Sequence, residues 1–323
     1  MKKIICQLIL AFPLLAFAQF DGIVGTDGCK AIHCNDLRII EWAINCEVTR
    51  GYQDIKVRNA RASFGQENDV LGKVEDGNTT KAISLGDSGI AVLSFQTPIV
   101  NGAGYDFVVF ENSLNDRFLE LAFVEVSSDG VNYFRFPATS NTQTETQIGN
   151  SGGIDATEIN NLAGKYKVGW GTPFDLDDLP DDVNLDKNNI THVKLIDVIG
   201  SIEPQYASLD FYGNMINDPY PTAFASGGFD LTGIGVINNR NNVFISQYQE
   251  FAVSVYPNPC KNFVYVHAKD CNLSLYNSLG QKLYQQQLTE NTFQVDMSNY
   301  LQGVYFLYLQ NNKTRKCVKI VKQ

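Results

Sequence analysis

The chain is poor in the residues that most enzyme and metal chemistry relies on. Of 323 residues, three are histidine, two tryptophan and three methionine, and none of the seven cysteines is spaced Cys-x-x-Cys. A closed zinc site of Cys and His ligands is therefore not expected. A nucleophile-base-acid triad in the body would have to rest on His33 or His192. His33 lies in a Cys-rich segment and His192 heads an apolar strand, so both read as structural. The apolar run from Ile4 to Phe17 is too short to span a bilayer, and no later segment approaches the roughly 18 residues that a membrane helix needs. Internal repeats and low-complexity tracts are also lacking.

Positive charge is scarce before the last seventy residues. Residues 19–252 hold 15 Lys/Arg against 32 Asp/Glu, a net of −17, whereas residues 253–323 hold eight against three, a net of +5. Phosphate binding rests on neutralisation by Lys and Arg, so the acidic body argues against nucleic acid as a partner. It suits calcium, or a neutral ligand such as a sugar.

The amino terminus has the pattern of an export signal over residues 1–18: a cationic Met1-Lys2-Lys3, an apolar run, and the small-x-small site Ala16-Phe17-Ala18, with cleavage expected between Ala18 and Gln19. Six cysteines then remain. An exported protein permits disulfides, and the expected pairings are Cys29 with Cys34 or Cys46, and Cys260 with Cys271; the spacing alone does not choose among the connectivities.

Residues 19–237 read as an all-β body. Period-two apolar patterns mark strands at 81–85, 90–95, 106–110, 192–199 and 229–237, and Asp129-Gly130 joins two alternating runs over 121–136 as a hairpin. Asp36 to Asn45 is the one stretch with helical character, with Asn35 or Asp36 as N-cap. Residues 238–252, rich in Asn and Gln, read as a linker. Strands at this spacing suggest a jelly-roll-like β-sandwich.

The candidate sites lie in loops. Asp182-x-Asn184-x-Asp186-x-Asn188 has the alternating oxygen spacing of a calcium loop, although Lys187 replaces the turn glycine and Val193 the bidentate glutamate. Asp175 and Asp177 in the preceding loop are expected to complete a looser Ca2+ site. Glu111 and Asn112 follow an apolar strand directly, where binding loops begin, and Tyr166, Trp170 and Tyr212 sit in Gly-rich loops where a ring can stack on a ligand. A glycoside hydrolase needs only two carboxylates, for which Glu111, Glu120 and Glu125 are available; a binding module and a structural or adhesive surface component are the readings favoured over it.

Residues 253–323 alternate in short antiparallel strands, as in Phe263 to His267 and Val304 to Leu309, and predict a small immunoglobulin-like sandwich. Four motifs fall in order: Tyr256-Pro257-Asn258-Pro259, then Leu275 to Gln281 with Gly280 as the turn glycine, then Leu301-Gln302-Gly303-Val304-Tyr305, then the basic end around Lys319. The arrangement resembles the C-terminal sorting domain of the type IX secretion system of Bacteroidetes-type bacteria. The resemblance implies a protein on the cell surface or secreted, with the secretion machinery as partner. The body segments 107–113, 122–138, 162–176, 191–201 and 226–237 resemble a family of secreted bacterial surface proteins. That second resemblance implies capture of a glycan or small-molecule nutrient, a corrinoid among them, in company with an outer-membrane receptor.

Overall fold

The computed structural model describes residues 20–241, 253–268, 271–278, 280–289, 292–310 and 315–323. Ala18 and Gln19, the expected cleavage point, lie outside them. The chain divides into two compact units, one through Phe244 and one from Ile245.

Thirteen strands build the body: β1 (Ile32–His33), β2 (Glu41–Trp42), β3 (Asn45–Thr49), β4 (Ile83–Ser84), β5 (Ile90–Ile99), β6 (Phe107–Glu111), β7 (Ala122–Ser127), β8 (Phe134–Arg135), β9 (Thr139–Ser140), β10 (Ile159–Asn160), β11 (Trp170–Phe174), β12 (Ile190–Asp197) and β13 (Asp230–Val236). One sheet runs β1-β11-β6-β13-β2 with β4 also on β13, and the other runs β3-β5-β12-β7-β8. Both contribute to one core, in which Phe107, Val109, Ile234 and Val236 meet Leu93, Val124, Val126 and Leu195. Phe107 stacks on Phe174 at 5.3 Å and both rings touch Phe136. Each such buried ring contributes about 1.5–3 kcal/mol relative to exposure. The result is the expected all-β, jelly-roll-like sandwich.

Strand β6 is buried on both faces. Phe107 and Val109 face the central core, while Val108 and Phe110 join a second cluster with Ile32, Cys34, Val74 and Ile237. That outer cluster is covered by the segment expected to be a helix. Residues 36–45 instead supply β2, paired with β13, and the start of β3, paired with β5. Leu37 is 95% exposed and Ile44 52% exposed, so a helical stripe would have gained little. Ile39 and Trp42 pack on the outer cluster, and Ala43 and Cys46 enter the core. Filling two strand edges outweighs a weak local helix preference.

Two further expectations are corrected. No disulfide is formed by Cys29, Cys34, Cys46, Cys260 or Cys317: Cys34 lies in the outer cluster and Cys46 in the central core, and Cys260 and Cys271 lie in the tail core. The linker begins later than residue 238, because Asn238 and Asn239 are buried. The Asn238 amide donates to the Asp106 carbonyl (3.1 Å) and that of Arg240 to Pro98 (3.0 Å).

Among its described residues the second unit has seven strands: β14 (Ser254–Tyr256), β15 (Phe263–His267), β16 (Cys271–Asn277), β17 (Lys282–Leu288), β18 (Thr292–Asp296), β19 (Gly303–Gln310) and β20 (Arg315–Lys322). Sheets β14-β15-β18 and β17-β16-β19-β20 enclose Val264, Val266, Leu273, Leu275, Leu307 and Leu309, an immunoglobulin-like packing. The β16–β17 turn holds Gly280 at φ 78°, where a Cβ would clash with the backbone. The Asn277 side chain accepts the Gln281 amide across the turn at 2.9 Å.

Candidate functional site

A cleft of ≈ 410 Å3 opens on the body between the β9–β10 ribbon, the start of β11 and the 210–214 turn. Its floor is a buried ion pair. Lys165 Nζ donates to Asp21 Oδ1 at 2.9 Å and to the Ile159 carbonyl at 3.0 Å, while the Tyr166 hydroxyl and the Lys30 amide donate to Asp21 Oδ2. Burial pushes the Asp21 carboxyl up, but the bonds from Lys165 and Tyr166 outweigh it and hold it below the usual carboxylate range. Burial and the Asp21 charge push the Tyr166 phenol up, so it stays protonated. Burial lowers Lys165 while its bond to Asp21 raises it; the Asp21, Lys165 and Tyr166 side chains are thus paired with one another, which suits recognition.

The walls are rings and amides. Tyr105, Tyr212, Pro137 and Pro173 offer flat apolar surface, and Thr139, Asn160, Asn161 and Asp178 offer donors and acceptors. Tyr212 is 70% exposed and meets Phe211 edge-on at 5.3 Å. Its backbone is held by Asp210, whose buried carboxylate accepts the amides of Tyr212 (2.9 Å), Asn214 (2.8 Å) and Ser140 (3.0 Å). Asn161 sits at φ 53°, a backbone that asparagine tolerates better than most residues. Its Nδ2 donates to Asp178 Oδ2 at 3.3 Å.

Of the five residues expected to line a ligand site, the cleft contains Tyr166 and Tyr212. Tyr166 is 3% exposed and acts through its hydroxyl in the floor. Trp170 stands on β11 with its ring 4.7 Å from that of His33. Glu111 and Asn112 are turned inward: Glu111 Oε2 accepts the Ser113 amide at 2.7 Å, and Asn112 Nδ2 donates to the Thr79 carbonyl at 3.2 Å. Neither reaches the cleft, because Glu111 continues the core-facing register of Phe107 and Val109.

The expected calcium residues are occupied locally. Asp175 accepts the Asp177 amide (3.0 Å), Asp182 that of Asn184 (2.8 Å) and Asp186 that of Asn188 (2.9 Å), while Asp177 accepts from the Asn101 side chain (2.7 Å). Lys187 Nζ lies 3.1 Å from Asp181. No three of these carboxylates bring oxygens within 4.8 Å of one another, and the only metal-ligating trio that does so among the described residues is His33, Cys34 and Asp76. In that trio His33 Nδ1 accepts the Asn35 amide at 3.2 Å. His33 Nε2 lies 3.3 Å from Asp76 Oδ1, and burial raises the neighbouring Cys34 thiol.

Of the carboxylates named as catalytic candidates, Glu111 and Glu125 are engaged. Glu125 is buried and paired with Arg135 (2.8 Å) and Lys194 (2.5 Å). Gly149-Asn150-Ser151-Gly152-Gly153 has the glycine-serine-glycine spacing of a nucleophile elbow, but it forms a turn, and Ser151 Oγ bonds the Asn150 side chain at 3.3 Å. Asp21, Lys165, Tyr105, Asn160 and Asn161 were not marked by any sequence motif. Only the Gly164-Lys165-Tyr166 step in a Gly-rich loop hinted at them, and Asp21 reaches Lys165 across 144 residues of sequence.

In the second unit, the first and last tail motifs are clamped together. Asn258 Nδ2 donates to the Lys319 carbonyl at 2.6 Å and its Oδ1 accepts the Val321 amide at 2.9 Å. Tyr256, the last residue of β14, shares a hydrogen bond of 2.5 Å with His267 Nε2. The Tyr305 hydroxyl closes the Leu301-Gly303 turn by donating to the Leu301 carbonyl at 2.7 Å.

Residues 254–323 match the family of secretion system C-terminal sorting domains. The tail is therefore a sorting domain of the type IX route, and the protein is delivered to the cell surface or beyond it. No curated protein matches the chain. Among solved structures it is similar to PorZ, an essential bacterial surface component of the type IX secretion system of Porphyromonas gingivalis (14% identity over 84% of this chain and 41% of that one, TM-score 0.23). It is also similar to the BSP domain of a biofilm-associated protein (10%, 89% and 53%, TM-score 0.22) and to the CBM51-2 and INT domains of Clostridium perfringens ZmpB (8%, 89% and 83%, TM-score 0.19). The chain thus spans about half or less of the first two structures, and scores this low define no common superposition.

Proposed function

We propose that the protein is an exported surface binding protein whose body captures a neutral, hydroxyl-rich ligand, a glycan or nutrient of sugar size, in the Tyr105–Tyr166–Tyr212 cleft. The observation that carries this reading is the composition of the cleft: exposed ring faces over a floor whose charges are already neutralised. A ring face packs on the apolar side of a sugar while amides and hydroxyls meet its edges. The volume of ≈ 410 Å3 falls within the range of small-ligand pockets, about 300–1,000 Å3. A corrinoid passed to an outer-membrane receptor is the larger-ligand form of the same reading, with the ligand resting on the mouth of the cleft.

The test is a glycan array probed with the purified chain, followed by calorimetric titration of the strongest glycan and, in parallel, of a corrinoid. Saturable binding of either supports capture. Self-association or adhesion to cells with no binding of a small ligand would favour a structural or adhesive surface component.

A further inference from the structure

We propose that the body binds a divalent transition-metal ion of the zinc class through His33, Cys34 and Asp76, three ligands that leave a fourth position for water. The nitrogen, sulfur and carboxylate oxygen that the three can offer all lie within 4.8 Å of one another. They come from two segments of chain. Strand β1 pairs with β11, so that His33 stands opposite Trp170, and the Cys34 amide donates to the Gly169 carbonyl at 2.9 Å. Successive side chains on a strand point to opposite faces. The strand stops at His33, and the turn that begins at Cys34 brings the two neighbours to one place. Asp76 belongs to the 75–78 turn, closed by the Asn78 amide on the Glu75 carbonyl at 3.2 Å.

The spacing fits an ion better than it fits a hydrogen bond. Tetrahedral zinc, with bonds of about 2.0–2.3 Å, sets its ligand atoms roughly 3.3–3.8 Å apart. His33 Nε2 and Asp76 Oδ1 already stand at 3.3 Å, beyond the usual 2.7–3.2 Å of an N–H···O bond. The remaining gaps, at most 4.8 Å, close with a side-chain adjustment of about 1 Å. Asp76 also lacks the local task that occupies Asp175, Asp182 and Asp186. Among the described residues it accepts no amide of its own turn, where Asn78 Oδ1 takes the Thr80 amide at 2.9 Å. Gly169 keeps the space for it: a Cβ there would lie 2.6 Å from Asp76 Oδ1, and its φ of 81° is one that glycine adopts freely.

The donor set chooses the ion. Calcium and magnesium take oxygen ligands, whereas imidazole nitrogen and thiolate sulfur suit zinc and its neighbours. Three protein ligands with one open position is a known zinc arrangement, distinct from the closed Cys and His site that the sequence spacing argues against. Binding has two local consequences. The ion takes the Nε2 lone pair of His33, so the ring proton sits on Nδ1 and the 3.2 Å contact from the Asn35 amide opens. One long neutral hydrogen bond is thereby exchanged for three metal bonds. The Cys34 thiol, 1% exposed, releases its proton, and the ion supplies the positive charge that a buried thiolate requires. The Trp170 ring, 4.7 Å from that of His33, places a fluorophore beside the ion.

The experiment uses the full chain, reduced and stripped with chelator, titrated with zinc chloride by calorimetry and with cobalt chloride by absorption and fluorescence. One zinc per chain is expected. Cobalt should give a near-ultraviolet thiolate charge-transfer band and the visible bands of a tetrahedral site, and should quench part of the tryptophan emission. Asp76→Asn changes a side chain that is 55% exposed, so it should weaken zinc binding at least tenfold while the melting point of the metal-free chain stays level. Cys34→Ser should abolish the charge-transfer band. Should that variant fail to fold, His33→Gln takes its place, with zinc binding at least tenfold weaker. A paired Cys29→Ser, Cys317→Ser variant should bind both ions as the parent does. No binding heat with a featureless cobalt spectrum would overturn the site. So would unchanged affinity in Asp76→Asn or His33→Gln, a band that persists in Cys34→Ser, or a band lost in the 29/317 variant.

Discussion

Lys165 Nζ and Asp21 Oδ1 stand 2.9 Å apart with side chains only 3% and 7% exposed, beneath the cleft proposed to bind ligand. Breaking such a pair strands one charge in the interior, at a cost of about 3–5 kcal/mol. Lys165→Met alone should lower stability in urea by about that amount, whereas Lys165→Met combined with Asp21→Asn should recover most of it. A single substitution costing under about 1 kcal/mol, the level of a surface pair, would show that the pair is solvated.

The pH dependence of stability follows from buried carboxyls: Asp87 and Asp106 show it most simply, and burial raises Glu111, Glu120, Asp197, Asp218 and Asp230 in the same direction. Burial lifts Asp87 and Asp106 to about 6, although Asp106 accepts amides from Gly102 and Leu176, both at 2.8 Å. Between roughly pH 4, the unfolded value, and pH 6 the native state holds protons that the unfolded chain gives up. Their contribution is therefore greatest below the unfolded value and is lost as pH rises through 6. The unfolding free energy measured in urea should fall between pH 5 and 7.5, by roughly 2–3 kcal/mol from Asp87 and Asp106 alone. Asp21, held below its usual range, acts in the opposite sense and loses its contribution only as pH falls through its own lower value. A flat or rising profile from pH 5 to 7.5 would contradict the burial argument.

Export should depend on the tail as a folded unit. Deleting residues from Val253 onward should leave the body folded and trapped in the periplasm, read by fractionation and protease accessibility on whole cells. Asn258→Ala removes both bonds to the final strand and should destabilise the tail by about 1–3 kcal/mol, with a matching drop in surface protein. Normal amounts of the truncated chain at the surface would contradict the assigned role of the tail.

The strands that alternate cleanly were legible in the sequence. Phe263–His267 coincides with β15, and the runs expected at 90–95, at 106–110 and in the first arm of the 121–136 hairpin became β5, β6 and β7, the last two beginning one residue later than expected. Strands β1, β2 and β11 were not, because they are short or interrupted and owe their pairing to partners far along the chain: Ile32 meets Gly171 and Trp42 meets Gly235. The same reason hid the cleft floor, since Asp21 carries no local pattern that names Lys165 as its partner. Spacing pointed to Asp182 and Asp186 as calcium ligands, and in the structure each accepts an amide of its own loop. Burial of Glu120, between Leu119 and Leu121, carries no pattern of its own.

The most direct test of the account is calorimetric titration of the array-selected glycan or nutrient into the parent chain and into Tyr212→Ala and Asn161→Ala. Tyr212 is an exposed ring on the wall and Asn161 an amide on the same wall, so neither change should disturb the core. Saturable binding is expected, weakened by each substitution by about 1–3 kcal/mol, the range for losing a stacking surface or a ligand hydrogen bond, with the melting point unchanged in Tyr212→Ala and lower in Asn161→Ala, where alanine takes the left-handed backbone less readily. Binding that persists at full strength in both variants, or no binding of any glycan or corrinoid by the folded parent, would contradict ligand capture by the cleft.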